Sequence, residues 1–366
     1  MNEFARRIAM AGDRARVSGI DAVLITPGPD LRYLLGYDAV PLERLTCLVI
    51  RAQADPVLVV PALELLAAQA SPAGPLGIDI HTWAETDDAY SLVAALVPHA
   101  RSVALDNHMW AEKVLALRAA MPNAVQCLSD AVVGSMRMRK DSHEVRALRE
   151  AGAAIDRVHA KVPHLLRAGV AEAKIGAQIA EEILAEGHER VDFIIVASGP
   201  NAASPHHEVS DRVLGIGDCV VVDIGGTMPS GYRSDCTRTY VVGEPSPAYL
   251  DAYEVLQRAQ AAAVAHARPG VTCASVDAVA RGILVEAGLG ELFVHRTGHG
   301  IGLETHEAPY IVEGNDLILE EGMAFSIEPG FYLPGKYGAR IEDIVVVNEA
   351  GAESLNNQPH QLVYCA

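Results

Sequence analysis

The sequence predicts a two-domain α+β protein in which a small α/β domain precedes a larger domain of helices and strands. Its length of 366 residues suggests roughly two domains at about 150 residues each. The segment 1–135 alternates short β-rich runs with stretches of helical periodicity, which is typical of an α/β domain. The segment 136–366 shows the order helix, helix, strands twice. We therefore expect domain boundaries of 1–135 and 136–366.

The first domain is expected to begin with a surface helix over 4–18. Runs rich in β-branched residues predict strands, and apolar residues three or four positions apart predict helices. The predicted strands are 22–26, 46–50, 57–60 and 103–106, and the further predicted helices are 63–69 and 112–120. These segments contain no cluster of metal-binding side chains, so we expect the chemistry in the second domain.

The second domain is expected to follow a break in the pattern at 134–140. Asp141 is followed three residues later by Glu144, which predicts a capped helix that ends at Gly169. The other predicted elements are helices 172–186, 248–267 and 275–287 and strands 193–197, 219–223, 236–242, 323–327 and 339–347. Because the order of elements repeats, ligands from both halves should meet at one centre.

The composition limits the classes of partner. Hydrophobic residues make up 50 % and charged residues 21 %, as in an ordinary soluble globular protein. The net charge of -18 argues against a nucleic-acid or anionic-membrane partner, since both require a basic face. The six cysteines show no C-x-x-C spacing, which argues against a zinc knuckle and fits a reducing cytoplasm. The sequence contains neither a signal-peptide core nor an apolar run long enough to span a bilayer.

Five residues of the second domain predict a metal centre: Asp223, Asp235, His299, Glu328 and Glu342. Each lies in a segment that otherwise indicates a strand or a tight turn. A buried carboxylate is costly unless something positive neutralises it. Four carboxylates carry a charge of minus four, and two divalent cations carry plus four. The pattern therefore predicts a hydrolase with two metal ions.

The two aspartates are expected to lie on one hairpin. Asp223 ends an apolar strand, Gly225 and Gly226 are expected to form the turn, and Asp235 lies on the returning strand. The alternative is that both aspartates cap turns, as many aspartates beside glycine do.

Histidines mark two further segments. His295, His299 and His306 lie in a glycine-rich stretch, where glycine lets backbone or metal approach closely. His206 and His207 lie in a loop after an apolar strand. A structural role is the alternative for the first group, and an ordinary surface loop is the alternative for the second.

The last two carboxylates are placed by strand geometry. Pro329 favours an extended conformation for Glu328. Arg340 and Glu342 should share one face of a single strand, because strand side chains alternate. The alternative is a cross-strand surface ion pair, which the apolar neighbours of Glu342 weaken.

In this order, the segments SGPNAASPHH, DIGGTMPSGYRSDCTRTY, HRTGHGIGLETHEAP, FSIEPG and RIED resemble those of the pita-bread metallopeptidases, peptidase family M24, in the prolidase and aminopeptidase P branch. The resemblance covers the chain from about residue 138 to its end. The preceding domain resembles, more loosely, the creatinase-type N-terminal domain. The implied fold is a creatinase-like α/β domain followed by a pita-bread catalytic domain.

The resemblance also implies roles for site residues. The five residues named above would hold two divalent ions, with Asp235 and Glu342 bridging them. A mainly oxygen ligand set suits Mn²⁺, with Co²⁺ or Zn²⁺ as alternatives. Glu328 would also act as proton shuttle. Catalytic or substrate-binding roles beside the metals are implied for His206, His295, His306 and Arg340, of which Arg340 would orient a bridging carboxylate.

The activity that the resemblance implies is hydrolysis of the bond before proline in a small peptide, by an Xaa-Pro dipeptidase (prolidase) that forms a homodimer. The alternatives are an Xaa-Pro aminopeptidase, or a non-peptidase hydrolase or lyase that keeps the metals on the same fold. The N-terminal domain and RIED disfavour a methionine aminopeptidase. The complete ligand set disfavours creatinase and a non-catalytic binding protein. The sequence assigns no cation to the carboxylate of a dipeptide.

The hairpin departs from the family pattern. Eleven residues separate Asp223 from Asp235, one more than is usual in the family. We expect the extra residue at 228–230, at the hairpin tip, with both carboxylates left in place. A shift in register would instead turn Asp235 to the wrong face.

Overall fold

The protein is described by a computed structural model that covers residues 2–366. The chain forms two compact units, one ending at Arg137 and the other beginning at Met138. No helix among residues 2–366 combines the length and the apolar character needed to cross a bilayer.

Within residues 2–137, the N-terminal unit contains one six-stranded mixed sheet and six α-helices. Its strands are β1 Ala22–Ile25, β2 Cys47–Arg51, β3 Ala54–Pro61, β4 Asp79–Trp83, β5 Ser102–Leu105 and β6 Val125–Leu128. Its helices are α1 Glu3–Val17, α2 Pro29–Leu35, α3 Leu65–Ala70, α4 Ala89–Leu96, α5 Ala111–Ala120 and α6 Val133–Arg137. The strand order is β4-β3-β2-β1-β5-β6. Strand β1 is central and buried along its whole length, as its unbroken apolar sequence predicts.

Several elements of this unit were not predicted from the sequence. Helix α2 is short and is defined by Pro29 in its first turn and by Gly36 in the left-handed conformation after it. Strands β4 and β6 lie at the sheet edges and contain no fully buried residue, so they lack the apolar run that identifies a strand. The expected break at 134–140 was partly wrong, because α6 occupies its first half and buries Met136 and Arg137.

The C-terminal unit contains four long helices and three groups of strands. The helices are α7 Ser142–Leu165, α8 Glu172–Ala185, α9 Pro247–His266 and α10 Cys273–Glu286. The capping box of Asp141 and Glu144 at the start of α7 is confirmed. The strands are β7 Arg190–Ser198, β8 Cys219–Thr227, β9 Arg233–Val242, β10 Gly298–Gly300, β11 Glu307–Ile311, β12 Ala324–Ile327, β13 Gly330–Leu333, β14 Tyr337–Arg340, β15 Asp343–Asn348, β16 Gly351–Ser354 and β17 Val363–Cys365.

These strands form a four-stranded sheet, a five-stranded sheet and a separate hairpin. Their orders are β17-β9-β8-β7, β11-β10-β12-β15-β16 and β13-β14. Helices α7 and α8 pack on the first sheet, and α9 and α10 contribute to the apolar layer on the second. Each half of the unit therefore buries one face of a sheet under a pair of helices and leaves the other face for the site.

The single strand expected over 339–347 was wrong. Strand β14 ends at Arg340 and β15 begins at Asp343. In the interval, Ile341 N–H donates to Pro329 O, and Glu342 N–H donates to Thr237 O on β9. The backbone changes hydrogen-bond partner here, which a continuous apolar sequence does not reveal. This break connects Glu342 directly to the first sheet.

Candidate metal centre and active site

Side-chain alternation directs the two aspartates to the face opposite the helices. Val220, Val222 and Ile224 of β8 belong to the apolar layer that contains α7 and α8 residues. Asp223 lies between Val222 and Ile224, so its side chain points to the other face of the strand, away from that layer. On β9, Asp235 pairs with Gly225, and Thr237 pairs with Asp223, so both aspartates share the free face of the hairpin.

The two glycines of this hairpin do not form its turn, contrary to expectation. Gly225 and Gly226 lie inside β8, and the turn occupies 228–232, between β8 and β9. A Cβ on Gly225 would collide with the Phe193 ring, and one on Gly226 would lie 2.8 Å from Arg190 O. Close packing against β7 therefore explains both glycines. The segment 228–230 lies at the hairpin tip, as expected.

The second half of the unit supplies the remaining residues. His299 lies on β10 between Gly298 and Gly300, whose missing side chains let the Ser326 and Ala308 carbonyls approach. The Nδ1–H of His299 donates to Gly300 O at 3.1 Å, which directs Nε2 toward the carboxylates, where it can act as a ligand once its own proton is lost. That Nε2 lies 3.2 Å from a Glu328 oxygen and 3.7 Å from an Asp235 oxygen.

The five predicted metal ligands line one cavity. Ligand atoms of Asp235, His299 and Glu342 lie within 4.8 Å of one another. Glu328 joins this group through His299, and Asp223 lines the same cavity. The site therefore brings together carboxylates from both halves of the C-terminal unit.

The carboxylates of this cluster are poorly neutralised by the protein alone. Burial and the neighbouring carboxylates Glu342 and Asp223 raise the pKa of Asp235 well above its ordinary value. Burial and the neighbouring Glu328 and Asp223 do the same to the pKa of Glu342. Burial also raises the pKa of Asp223, although the Arg340 guanidinium opposes that shift. Bringing these groups together as anions requires added positive charge.

Two features show that this donor set fits divalent cations. Asp223 Oδ1 is buried and has no hydrogen-bond partner among residues 2–366, so one oxygen is available to a ligand. The remaining donors are three more carboxylates and one imidazole nitrogen, which together suit a hard or borderline divalent ion. The residues present therefore fit two such ions, and each ion would lower the net negative charge of the cluster.

Glu328 differs from the other carboxylates. Burial acts to raise its pKa, but the hydrogen bond with His299 and the charges of His299, His295 and Arg340 outweigh it and lower the pKa to about 2. Ser326 Oγ–H donates to Glu328 Oε1 at 3.0 Å and accepts from His299 N–H. Glu328 is thus an ionised carboxylate held beside His299.

Arg340 pairs with Asp223, at 2.6 Å, rather than with either carboxylate assigned to a bridging position. This differs from the expected role of Arg340. The reason is the break after β14: Glu342 turns to Thr237, whose Oγ1–H donates to Glu342 Oε2 at 2.7 Å. Arg340 also donates to the Tyr332 hydroxyl at 2.7 Å and to Thr237 Oγ1 at 3.1 Å.

The predicted histidines have different surroundings. His206, His295 and His306 line the cavity, which measures about 760 Å³. The His306 ring packs edge-on against His299, and desolvation together with the charges of His299 and Arg296 lowers the pKa of His306 to about 4. His207 instead bonds to Glu172 at 2.9 Å and does not line the cavity.

Sequence reasoning missed three groups at this site. Tyr332 connects His295 Nε2, at 2.8 Å, to Arg340, and Thr237 connects Arg340 to Glu342. Arg296 lines the cavity and lies with its guanidinium carbon 4.5 Å from the centre of the Tyr310 ring. The two-residue spacing from Asp235 could have identified Thr237, since both share one strand face. No comparable spacing in the sequence indicated that Tyr332 and Arg296 belong to the site.

Comparison with known proteins identifies the family. Residues 146–349 match the family described as Metallopeptidase family M24. Residues 7–139 match the family described as Creatinase/Prolidase N-terminal domain. A probable dipeptidase PepE from Mycobacterium bovis is 54 % identical over 360 residues, which cover 98 % of this chain and 96 % of the relative. An Xaa-Pro dipeptidase from Lactobacillus helveticus is 37 % identical over 355 residues, covering 94 % of this chain and 95 % of that one.

A solved structure agrees with the sequence matches. The crystal structure of dipeptidase PepE from Mycobacterium ulcerans has a TM-score of 0.96 and 54 % identity, and covers 99 % of this chain and 98 % of that chain. The predicted fold class, a creatinase-like α/β domain followed by a pita-bread domain, is confirmed. The chain therefore belongs to metallopeptidase family M24 and has an N-terminal domain of the creatinase/prolidase type.

Proposed function

We propose that this protein is a metal-dependent Xaa-Pro dipeptidase. The observation that carries the proposal is the convergence of four carboxylates and His299 on one buried centre, at the wall of a cavity of about 760 Å³. Membership of a metallopeptidase family implies a divalent metal. Relatives named as dipeptidase and Xaa-Pro dipeptidase, aligned over more than nine-tenths of the chain, support the reaction.

The metal centre would be assembled by five side chains: Asp223, Asp235, His299, Glu328 and Glu342. Two bound divalent ions would supply Lewis acidity and a lowered pKa for a water molecule. We propose Mn²⁺ as the ion, because oxygen donors dominate the set.

Proton movement is assigned to Glu328. Its carboxylate lines the cavity and is ionised beside His299. It can accept a proton from the attacking water and deliver it to the departing prolyl nitrogen. A prolyl nitrogen in a peptide bond has no N–H, so the pocket needs no acceptor for it. His206 and His306 lie along the cavity wall where they can donate to the substrate carbonyl.

Arg296 supports a dipeptide as the substrate. Three arginines line the cavity. Arg233 pairs with Asp192 at 2.5 Å and Arg340 pairs with Asp223, whereas no ion pair of Arg296 is found within residues 2–366. A guanidinium suits a carboxylate because it offers a planar fork of donors. We assign Arg296 to the free carboxylate of the dipeptide's proline.

An Xaa-Pro aminopeptidase is the second candidate. A cavity of about 760 Å³ lies well inside the range of ligand pockets, about 300–1,000 Å³, and leaves room for residues beyond the proline. A metal-retaining non-peptidase hydrolase or lyase is the third. In both, Arg296 would lack the partner that a dipeptide supplies.

The deciding experiment compares an X-Pro dipeptide with the matching X-Pro-Y tripeptide, with Mn²⁺, Co²⁺ or Zn²⁺ titrated in. We expect proline release from the dipeptide to be strongest with Mn²⁺, and little cleavage of the tripeptide. Preferred cleavage of the tripeptide would favour the aminopeptidase. No cleavage of either peptide by protein with two ions bound per chain would reject both.

We also propose a cytoplasmic homodimer. All six cysteines are free thiols among the described residues, five of them buried, which supports a reducing compartment. The dimer rests on the resemblance to the prolidase branch. Light scattering on the purified protein tests it, and a mass of one chain would contradict it.

A further inference from the structure

A buried carboxylate outside the metal centre anchors the loop that contains His206. Glu172 is the first residue of α8, and its side chain is fully buried. Its Oε1 accepts from Ser198 N–H at 2.8 Å and from Ser198 Oγ–H at 2.6 Å. Its Oε2 accepts from Ser210 Oγ–H at 2.6 Å and from His207 Nε2 at 2.9 Å. Asn201 Nδ2 donates to both oxygens at 3.1 Å.

All these donors belong to one segment, 198–210, which leads from β7 toward the cavity. Burial acts to raise the pKa of Glu172, but hydrogen bonds from Ser198, Ser210 and His207 outweigh it and lower the pKa. Glu172 is therefore an anion that the loop itself solvates. Because one carboxylate accepts from donors along the whole segment, loss of its charge would release several of them together.

His206 lies between two fixed neighbours. His207 bonds to Glu172, while the carbonyl of Pro205 accepts from Arg340 at 3.3 Å. The His206 side chain is exposed and lines the cavity, and it has no hydrogen-bond partner of its own within residues 2–366. Its position consequently depends on the backbone on either side. Arg340 fixes one side through Pro205, and Glu172 fixes the other through His207.

We propose that Glu172 is a positioning residue that acts through His207 to hold His206 against the substrate. This inference rests on the proposed function, since it requires His206 to contact the peptide. Glu172 itself does not line the cavity and is no ligand of the metal centre. Its contribution is to keep the 198–210 loop in the conformation that presents His206, which reduces the ordering cost of substrate binding.

A double-mutant cycle on the Mn²⁺-loaded full chain tests the proposal, with kcat/KM for an X-Pro dipeptide and the thermal midpoint as readouts. The variants are Glu172→Gln, His206→Ala and the double substitution. We expect Glu172→Gln to lower kcat/KM about tenfold in the wild-type background and less than about twofold in the His206→Ala background, because coupled residues are non-additive. The fall in the thermal midpoint should be the same in both backgrounds.

Asp156→Asn is the matched control. Asp156 is also a buried carboxylate of the C-terminal unit, but it accepts hydrogen bonds from Asn356 and Asn357 and does not line the cavity. We expect this change to lower the thermal midpoint and to leave kcat/KM within about twofold. If Glu172→Gln does not fold, His207→Gln provides the same cycle, since it removes the connecting ring.

The possible results distinguish the positioning role of Glu172 from the proposed activity of the protein. Equal reductions of kcat/KM by Glu172→Gln in both backgrounds would overturn the positioning role, and so would an unchanged kcat/KM in the wild-type background. A His206→Ala variant of full activity would also overturn it, while proline release by the wild type would leave the proposed function intact. Failure of the proposed function would appear as a wild-type protein that releases no proline.

Discussion

Arg296 and Arg340 line the same cavity but have opposite surroundings, and this difference sets what each can bind. Arg340 is buried and donates to Asp223, Tyr332 and Thr237, so its donors are used within the protein. The Arg296 guanidinium lies over the Tyr310 ring, an arrangement that steadies it while leaving its edge donors available. Only the second environment suits recognition of an incoming carboxylate.

Replacing Arg296 tests whether its guanidinium binds the carboxylate of the dipeptide. We expect Arg296→Met to raise KM for an X-Pro dipeptide about 10- to 100-fold, since a hydrogen bond to a charged group contributes about 1.5–3 kcal/mol. The same change should have little effect on KM for the X-Pro amide, because the amide lacks the carboxylate. Steady-state kinetics on both substrates provide the check, and equal losses on both would contradict the assignment.

At the scale of elements, the pairing of β8 with β9 determines where both aspartates point. The register Gly225↔Asp235 and Asp223↔Thr237 places them on one face, and the turn at 228–232 closes the hairpin beyond them. Met228 N–H donates to Tyr232 O within that turn. The segment 228–230, where the extra residue is expected, is therefore separated from the site by regular strand pairing.

Two changes in this hairpin should have different effects on metal binding. Deleting Ser230 shortens only the turn, so we expect the number of bound metal ions to be unchanged. Inserting one alanine between Ser234 and Asp235 turns Asp235 to the helix-facing side, so we expect loss of metal. Elemental analysis of the dialysed proteins measures both, and loss of metal in the deletion variant would show that the turn sets the register.

The contact of α7 with β9 adds a pH-dependent contribution to stability. His159 on α7 is buried, donates from Nε2 to Cys236 O at 3.0 Å and receives a hydrogen bond from the Tyr240 hydroxyl at 2.9 Å. Burial, together with the charge of Arg238, lowers its pKa to about 3. The folded protein thus holds His159 neutral, whereas the unfolded chain protonates it near pH 6.5.

A folded-state pKa below the unfolded value means that His159 contributes stability above pH 6.5 and loses it as the pH falls toward about 3. We expect the free energy of unfolding of wild type, relative to His159→Gln, to fall by about 1–2 kcal/mol between pH 6.5 and pH 5. Denaturant unfolding at several pH values measures the difference. A difference that does not change with pH would show that His159 takes up a proton as readily in the folded protein as in the unfolded chain, and would contradict the lowered pKa.

At the scale of the whole molecule, the proposed metal centre connects the two halves of the C-terminal unit. Asp223 and Asp235 come from the first sheet, whereas His299, Glu328 and Glu342 come from segments around the second. Without cations, the clustered carboxylates oppose this contact, because burial and mutual repulsion raise the pKa values of Asp235 and Glu342. Metal binding should therefore stabilise the fold as well as enable the reaction.

Removing the metal with a chelator tests how much metal binding stabilises the fold. We expect metal removal to lower the thermal midpoint of the full chain, and Mn²⁺ at 100 times its Kd to restore about 2.7 kcal/mol per site. Asp235→Asn should abolish the metal-dependent shift. Calorimetry with and without Mn²⁺ provides the measurement, and identical midpoints in both conditions would contradict a metal centre at these residues.

The sequence by itself determined the features that depend on short-range patterns. Alternation in β8 directed Asp223 away from the apolar layer, the spacing of Asp141 and Glu144 defined the start of α7, and the ordered motifs identified the family. Tertiary structure alone decided which side chains meet. It paired Arg340 with Asp223, ended a strand before Glu342 and turned His207 toward Glu172. It also left Arg296 without an ion pair to any of residues 2–366. These contacts join residues far apart in the chain, and their geometry depends on how sheets and loops pack, which spacing along a single sequence does not specify.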